Sequence, residues 1–290
     1  MYMKKIIQLE EFPDTIYLSL SDSDHKKLWK NLLKNISIKQ VAEEFKIPVR
    51  NLYKYKEGDS GYPLAILKKL LKKTKIKINQ ANIKTQRNSN SMKIKIPIRI
   101  TEKFTEFLGY LFGDGGIDHQ FGVHFTTNDK KSLNQFDNLV KEVFGDIEKQ
   151  EYDYGTRITY YYPKILGVLL SEIFKIPKGN KVDSDIEIPD DILNSMNSKM
   201  KRSFITSFYI CDGCSDYIRI VQGGKNLEKP PKILTQIQEM IRSFNFNSAI
   251  IKPSSIYFTS KTKRRRWVLN ISDQNERKKF KIIFLPSYLN

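Results

Sequence analysis

Two stretches of the chain each deliver a single carboxylate at the end of an apolar run. "FLGYLFGDGG" (107–116) carries Asp114 between glycines, and "ITSFYICDGC" (205–214) carries Asp212 before Gly213. One Asp-Gly after an apolar helix is ordinarily a turn; two in the same setting call for a shared purpose. If the runs are helices packed side by side, close approach needs small residues at the contact. Gly109 and Gly113 supply them in the first run, Ser207 and Cys211 in the second. Both acids then stand at C-terminal helix tips, where the helix dipole disfavours anions and two carboxylates repel. That placement opposes folding and makes sense when divalent cations fill the gap. Paired carboxylates holding Mg2+ or Mn2+ suit phosphodiester hydrolysis, in which the metal activates a water and stabilises the leaving oxygen.

Composition points to the same partner. Lys and Arg number 50 against 32 acidic residues, a formal charge of +18. Such an excess repels itself in the folded state, and a polyanion relieves it. A Lys-rich, AT-biased genome would raise the count too, but here the charge is clustered. Residues 72–100 carry many cations and no acid. Two cysteines, Cys211 and Cys214, argue against a disulfide scaffold. Their CxxC spacing lacks the second pair a zinc site wants, so small packing residues are the expectation. No apolar stretch approaches the roughly 20 residues of a membrane span, and the N-terminus shows no signal-peptide pattern. The expectation is a soluble cytoplasmic protein without membrane contact, acting on chromosomal or nucleoid DNA.

Three regions must position these groups. Residues 1–75 read as a small all-α unit of short helices. "SIKQVAEEFKIPVRNLYKYKEG" (37–58) gives a Ser-capped helix, a tight connection and a second helix exposing Arg50, Asn51 and Lys54. A plain helical bundle burying Val41, Phe45 and Leu52 is the bland alternative. Residues 76–100, with the Asn- and Ser-rich "QRNSNS", read as a basic linker, a cationic arm on phosphates, although their Ile/Lys alternation could make short strands. From 101 onward one order of elements occurs twice, in 101–195 and 196–290. An apolar helix ending in Asp-Gly leads to strand-like segments around an amphipathic helix, then a closing helix. "GVHFTT" and "RITYYYP" are the strands of the first unit; "YIRIVQ", "SIYFTS" and "RRWVLNIS" those of the second. This is an α+β fold built from a duplicated module with pseudo-twofold symmetry, its sheets forming a saddle over a duplex.

In residue order, 37–58 resembles the Cro/repressor-type helix-turn-helix family, whose second helix enters the major groove. Over roughly 101–290, the two acid-bearing runs resemble the two motifs of the LAGLIDADG homing endonucleases in their single-chain, two-repeat form. "IEIPDDILNSMNSKMKRSFITSFYICDG" and "WVLNISDQNERKKFKIIFLP" resemble the flanking segments of that family. The resemblance implies Asp114 and Asp212 as catalytic, metal-binding acids, with Gly113 and Cys211 in the metal site. Ser207 departs from the usual interhelix glycine. Lysines near the cleavage centre are implied too: Lys181 in the first repeat, Lys261 or Lys263 in the second. Arg219, Gln222, Lys261, Arg264 and Arg265 are the expected strand contacts to DNA. The implied activity is a staggered double-strand cut in a long asymmetric site, by a monomer that is an internal pseudo-dimer. The alternative is a non-catalytic nucleic-acid binder, a transcription regulator or an RNA maturase for intron splicing. An intein-embedded nuclease fits less well, because "PSYLN" has no His-Asn ending; a free-standing or intron-encoded product is expected.

Overall fold

A computed structural model describes residues 6–78, 80–84, 92–181, 186–214, 217–259 and 262–285. The N-terminal part contains β1 (Ile6–Ile7), β2 (Tyr17–Leu20), α1 (Asp22–Leu32), α2 (Ile38–Phe45), α3 (Val49–Glu57), β3 (Tyr62–Pro63), α4 (Leu64–Thr74), β4 (Gln80–Lys84), β5 (Met92–Lys95) and β6 (Ile98–Arg99). Ser37 caps α2 in a capping box with Gln40, and Lys46 ends it in the left-handed conformation. Only Lys46, Ile47 and Pro48 separate α2 from α3. Val41, Ala42, Leu52 and Tyr55 are buried, while Phe45 packs half-buried against them.

Two expectations fail here. The N-terminal unit is not all-α: β2 is the second strand of a four-stranded antiparallel sheet, ordered β3-β2-β4-β5. The stretch expected as a linker supplies two strands of that sheet, with Ala81 opposite Leu20 and Ile94 opposite Ala81. Alternation with period two explains the outcome. Met92 and Ile94 are buried while Lys93 and Lys95 face solvent. β6 pairs back onto β1, so the basic segment is integral to the fold. "QRNSNS" (86–91) lies outside the described residues.

The remainder is a mixed α/β arrangement around two antiparallel sheets. Its elements are α5 (Glu102–Phe112), β7 (Gly115–Ile117), β8 (Val123–Thr127), α6 (Lys130–Phe144), β9 (Gln150–Asp153), β10 (Ile158–Tyr162), α7 (Lys164–Glu172), α8 (Asp190–Leu193), α9 (Ser198–Asp212), β11 (Arg219–Gly224), α10 (Lys232–Arg242), β12 (Ala249–Thr259), β13 (Thr262–Ile271) and α11 (Gln274–Phe284). One sheet runs β7-β8-β10-β9, the other β11-β13-β12. All five expected strand segments form. Thr101 and Asn197 cap α5 and α9, each accepting a hydrogen bond from the amide three residues on. These two helices lie against each other, and α5 is buried almost all round. From Phe107 to Phe112 every residue of the helix is buried, which is why that stretch reads as one apolar run, while Glu102, Lys103 and Glu106 mark its outer first turns.

Candidate functional site

The seam between α5 and α9 is closed at two glycines. A methyl group on Gly109 would fall 2.9 Å from the amide nitrogen of Phe208 and 2.5 Å from the carbonyl oxygen of Phe204. One on Gly113 would fall 2.8 Å from the Cys211 thiol. The two pairs inferred from spacing, Gly109 with Ser207 and Gly113 with Cys211, are therefore the contacts that set the helix separation. Each side chain in the second helix is small enough to fill the gap its glycine leaves. Ser207 turns its hydroxyl onto its own helix, donating to Ser203 O at 2.9 Å.

Both acids lie at this seam, one just past α5 and the other ending α9. Burial pushes the Asp114 carboxyl above its ordinary range, against the pull of Lys181 and a hydrogen bond from the Cys211 thiol. Asp212 is pushed up to about 6, first by burial; Lys181 lowers it, the Asp114 charge raises it, and Gln222 lowers it. The Gln222 amide donates to Asp212 Oδ2 at 2.8 Å. Burial likewise pushes the Cys211 thiol up, so it stays protonated between the acids. Lys181 joins from the chain that follows the first sheet. Its ammonium donates to the carbonyls of Phe112 at 2.9 Å and of Gly113. Burial lowers its pKa while both carboxylates pull it back up.

The structure thus unites Asp114, Asp212, Gly113, Cys211 and Lys181. Lys263 is not among them. It pairs with Phe258 beyond the end of β11, about 13 Å along β13 from Trp267, the partner of Gln222. Gln222, expected to read a base, donates to Asp212. Arg264, expected on the surface, is only 5% exposed, its Nε donating to Thr259 Oγ1 at 2.7 Å. Arg219 is exposed beside Tyr217, and half-buried Arg265 lies over Trp267. On α3, Arg50 is exposed while Asn51 and Lys54 are half-buried. Lys261 lies outside the described residues. Residues 249–271 contain no acidic side chain, so β12 and β13 form a wholly cationic hairpin.

His124 belongs to the centre and was missed. A methyl on Gly116 would lie 3.0 Å from its Cε1 and 3.8 Å from Lys181 Cε. Burial lowers its pKa, and the nearby Lys181 lowers it further. Nothing in the sequence marks this position, because only the pairing of Gly116 with His124 brings the ring there.

A divalent cation fits the donor chemistry. Burial raises the pKa of both carboxylates, the Asp114 charge raises that of Asp212 further, and the ammonium of Lys181 beside them is itself bonded to helix-end carbonyls. Among the described residues no cluster of three or more His, Cys, Asp or Glu side chains could hold a metal alone. Mg2+ is typically held by one or two carboxylates, with the substrate's phosphates and water completing its shell. The carbonyl of Gly113 already accepts from Lys181, so the carboxylates are the stronger ligands.

No protein-family model matches the chain. Over 161 residues, 56% of its length, it is 28% identical to a component of the A-type ATP synthase of Pyrococcus abyssi (strain GE5 / Orsay), of which it spans only 15%. Among solved structures, I-DmoI in complex with DNA and Mn aligns at 17% identity and a TM-score of 0.42, covering 64% of this chain and 97% of that one. The N-terminal LAGLIDADG domain of DUF199/WhiA aligns at 14% identity and a TM-score of 0.36, covering 63% of this chain and 82% of that one.

Proposed function

We propose that this chain is a site-specific DNA endonuclease of the LAGLIDADG homing type, making a metal-dependent staggered cut in a long asymmetric double-stranded site. The observation that carries the reading is the meeting of Asp114 and Asp212 at a seam closed by Gly109 and Gly113, beside a buried lysine. Residues 101–195 and 196–290 act as two copies of one module about a pseudo-twofold axis. Strand orders β8-β10-β9 and β11-β13-β12 support that view, as does the placement of an acid before each sheet. The chain works as a monomer, each half addressing one half-site. Its N-terminal unit adds flanking contacts through α3 in helix-turn-helix fashion, with Arg50, Asn51 and Lys54 toward the groove.

Each residue at the centre then has a task. Asp114 and Asp212 would hold the divalent cations, Mg2+ or Mn2+, beside the scissile phosphate. A metal held there would supply a water of lowered pKa and offset charge on the leaving oxygen. Gln222 fixes the rotamer of Asp212 through its amide. Lys181 keeps a positive charge against both acids and, when DNA is present, faces the phosphate backbone. Exposed Arg219 and Arg266, with the hairpin of β12 and β13, meet the duplex.

The test uses the full chain with Mg2+ and a plasmid carrying the native insertion locus. Wild type gives a discrete linear band, while Asp114→Asn and Asp212→Asn do not, though both still bind the locus in Ca2+. Full linearisation by either variant overturns the proposed roles. Binding without any cutting by wild type leaves the non-catalytic binder.

A further inference from the structure

Beside the centre, a recess of about 90 Å3 opens where β11 ends. That is room for several waters, and so for one tetrahedral anion. Lys181, Lys225 and Lys229 line it together with Gln222 and Asn226, and among the described residues no carboxylate does. Lys225 and Lys229 are exposed at its mouth, and neither makes an ion pair among the described residues. Asn226 shapes that mouth: its side chain accepts from the amides of Glu228 at 2.8 Å and Lys229 at 2.9 Å, a local turn that brings Lys229 back toward Lys225. The wall on the strand side is Gly223 and Gly224, which have no side chain to keep a ligand off the backbone.

We propose that this recess is a phosphate seat, in which Lys225 and Lys229 hold one phosphodiester of the bound DNA next to the cut. The inference rests on the endonuclease reading for the identity of its partner. Lys225 and Lys229 bring two exposed ammonium groups to one mouth, and an anion seated between them relieves their mutual repulsion. Gln222 ties the seat to the chemistry, because the residue lining the recess also donates to Asp212. A phosphate held there therefore sets the position of its neighbours along the strand against the acid pair. Lys225 and Lys229 touch the substrate but none of the reacting atoms, so they position the strand.

The probe is a duplex selected by the full wild-type chain from a random pool in Ca2+. A methylphosphonate, which removes one charge, is placed at each linkage in turn. In wild type one linkage loses about tenfold in affinity. In the double variant Lys225→Gln with Lys229→Gln that penalty disappears, and the slope of log affinity against log salt falls by 1 to 2. The proposal is overturned if the variant keeps the same methylphosphonate penalty and the same slope, or if the chain selects no duplex. Cutting in Mg2+ is scored separately. A duplex that is bound and never cut refutes the endonuclease reading, while the methylphosphonate comparison still judges the seat.

Discussion

Asp137 and Asp212 are both enclosed carboxylates on helices that pack against a sheet, and the protein treats them in opposite ways. Asp137, on α6, is 5% exposed and accepts from Lys141 at 2.8 Å, Lys149 at 2.7 Å and the Tyr162 hydroxyl at 3.0 Å. Burial raises its pKa, but these donors outweigh it and hold the carboxyl below its usual range. Asp212 accepts from the neutral Gln222 amide at 2.8 Å, while its cation, Lys181, is engaged by the carbonyls of Phe112 and Gly113. Its pKa rises to about 6, chiefly through burial. The donors decide the difference, since depth of burial works in the same direction on both. Where an acid serves the fold, the chain surrounds it with donors; where an acid awaits a ligand, the chain leaves charge unbalanced.

The largest effect should fall on the seam acids. Asp114→Asn and Asp212→Asn are each expected to slow cutting by at least about 10³-fold, roughly 4 kcal/mol of barrier, with affinity in Ca2+ nearly unchanged. Asp137→Asn should do the reverse. Breaking one side of an enclosed ion pair costs about 3 kcal/mol of stability, read in urea melts, while folded enzyme cuts at the wild-type rate. A slow but stable Asp137→Asn protein would erase the division between the two acids. Gly109→Ala comes next, at roughly 2 kcal/mol for the overpacked contact. It should also impair cutting, because the helices that carry both acids must separate to admit the methyl group. Unaltered cutting by Gly109→Ala would show that the acids tolerate a wider seam.

How much of this was legible follows from which forces act locally. The seam was, because helix packing needs small residues at spacings that sequence displays directly: Gly109, Gly113, Ser207 and Cys211 all sit where inferred. Strand β9 was not, since "QEYD" is exposed along its whole length and has no buried alternation to read. The basic segment misled because charge suggested an arm, while Ile94, Ile96 and Ile98 are buried and Ile98 finds its strand partner at Ile7, near the other end of the N-terminal part. Within the centre, Lys181 could be suspected, but its bond spans 69 positions to Phe112. The bond of Gln222 to Asp212 and the burial of Arg264 were not legible for a related reason. A polar side chain on a strand shows which face it shares, and register with another element decides what it meets.

The smallest effect concerns stability without metal, and its sign is fixed by the raised pKa of Asp212. In the unfolded chain its carboxyl titrates near the reference value of 3.8, and in the folded chain at about 6. Below 3.8 both states are protonated, and the site costs nothing. Between those values the folded state keeps a proton that the unfolded state has released, so stability falls as pH rises. Above about 6 the whole penalty is present, at most roughly 3 kcal/mol for a shift of this size. Asp212→Asn removes that penalty but weakens the bond with Gln222, leaving a net gain of about 1 to 2 kcal/mol at pH 7 in EDTA. The gain should vanish at pH 3.5, and Mg2+ should raise the melting temperature of wild type more than that of the variant, since only wild type keeps both charged ligands. A variant less stable than wild type at pH 7, or equally stabilised at both pH values, would show that Asp212 is as well satisfied as Asp137 and that no cation is needed at the seam.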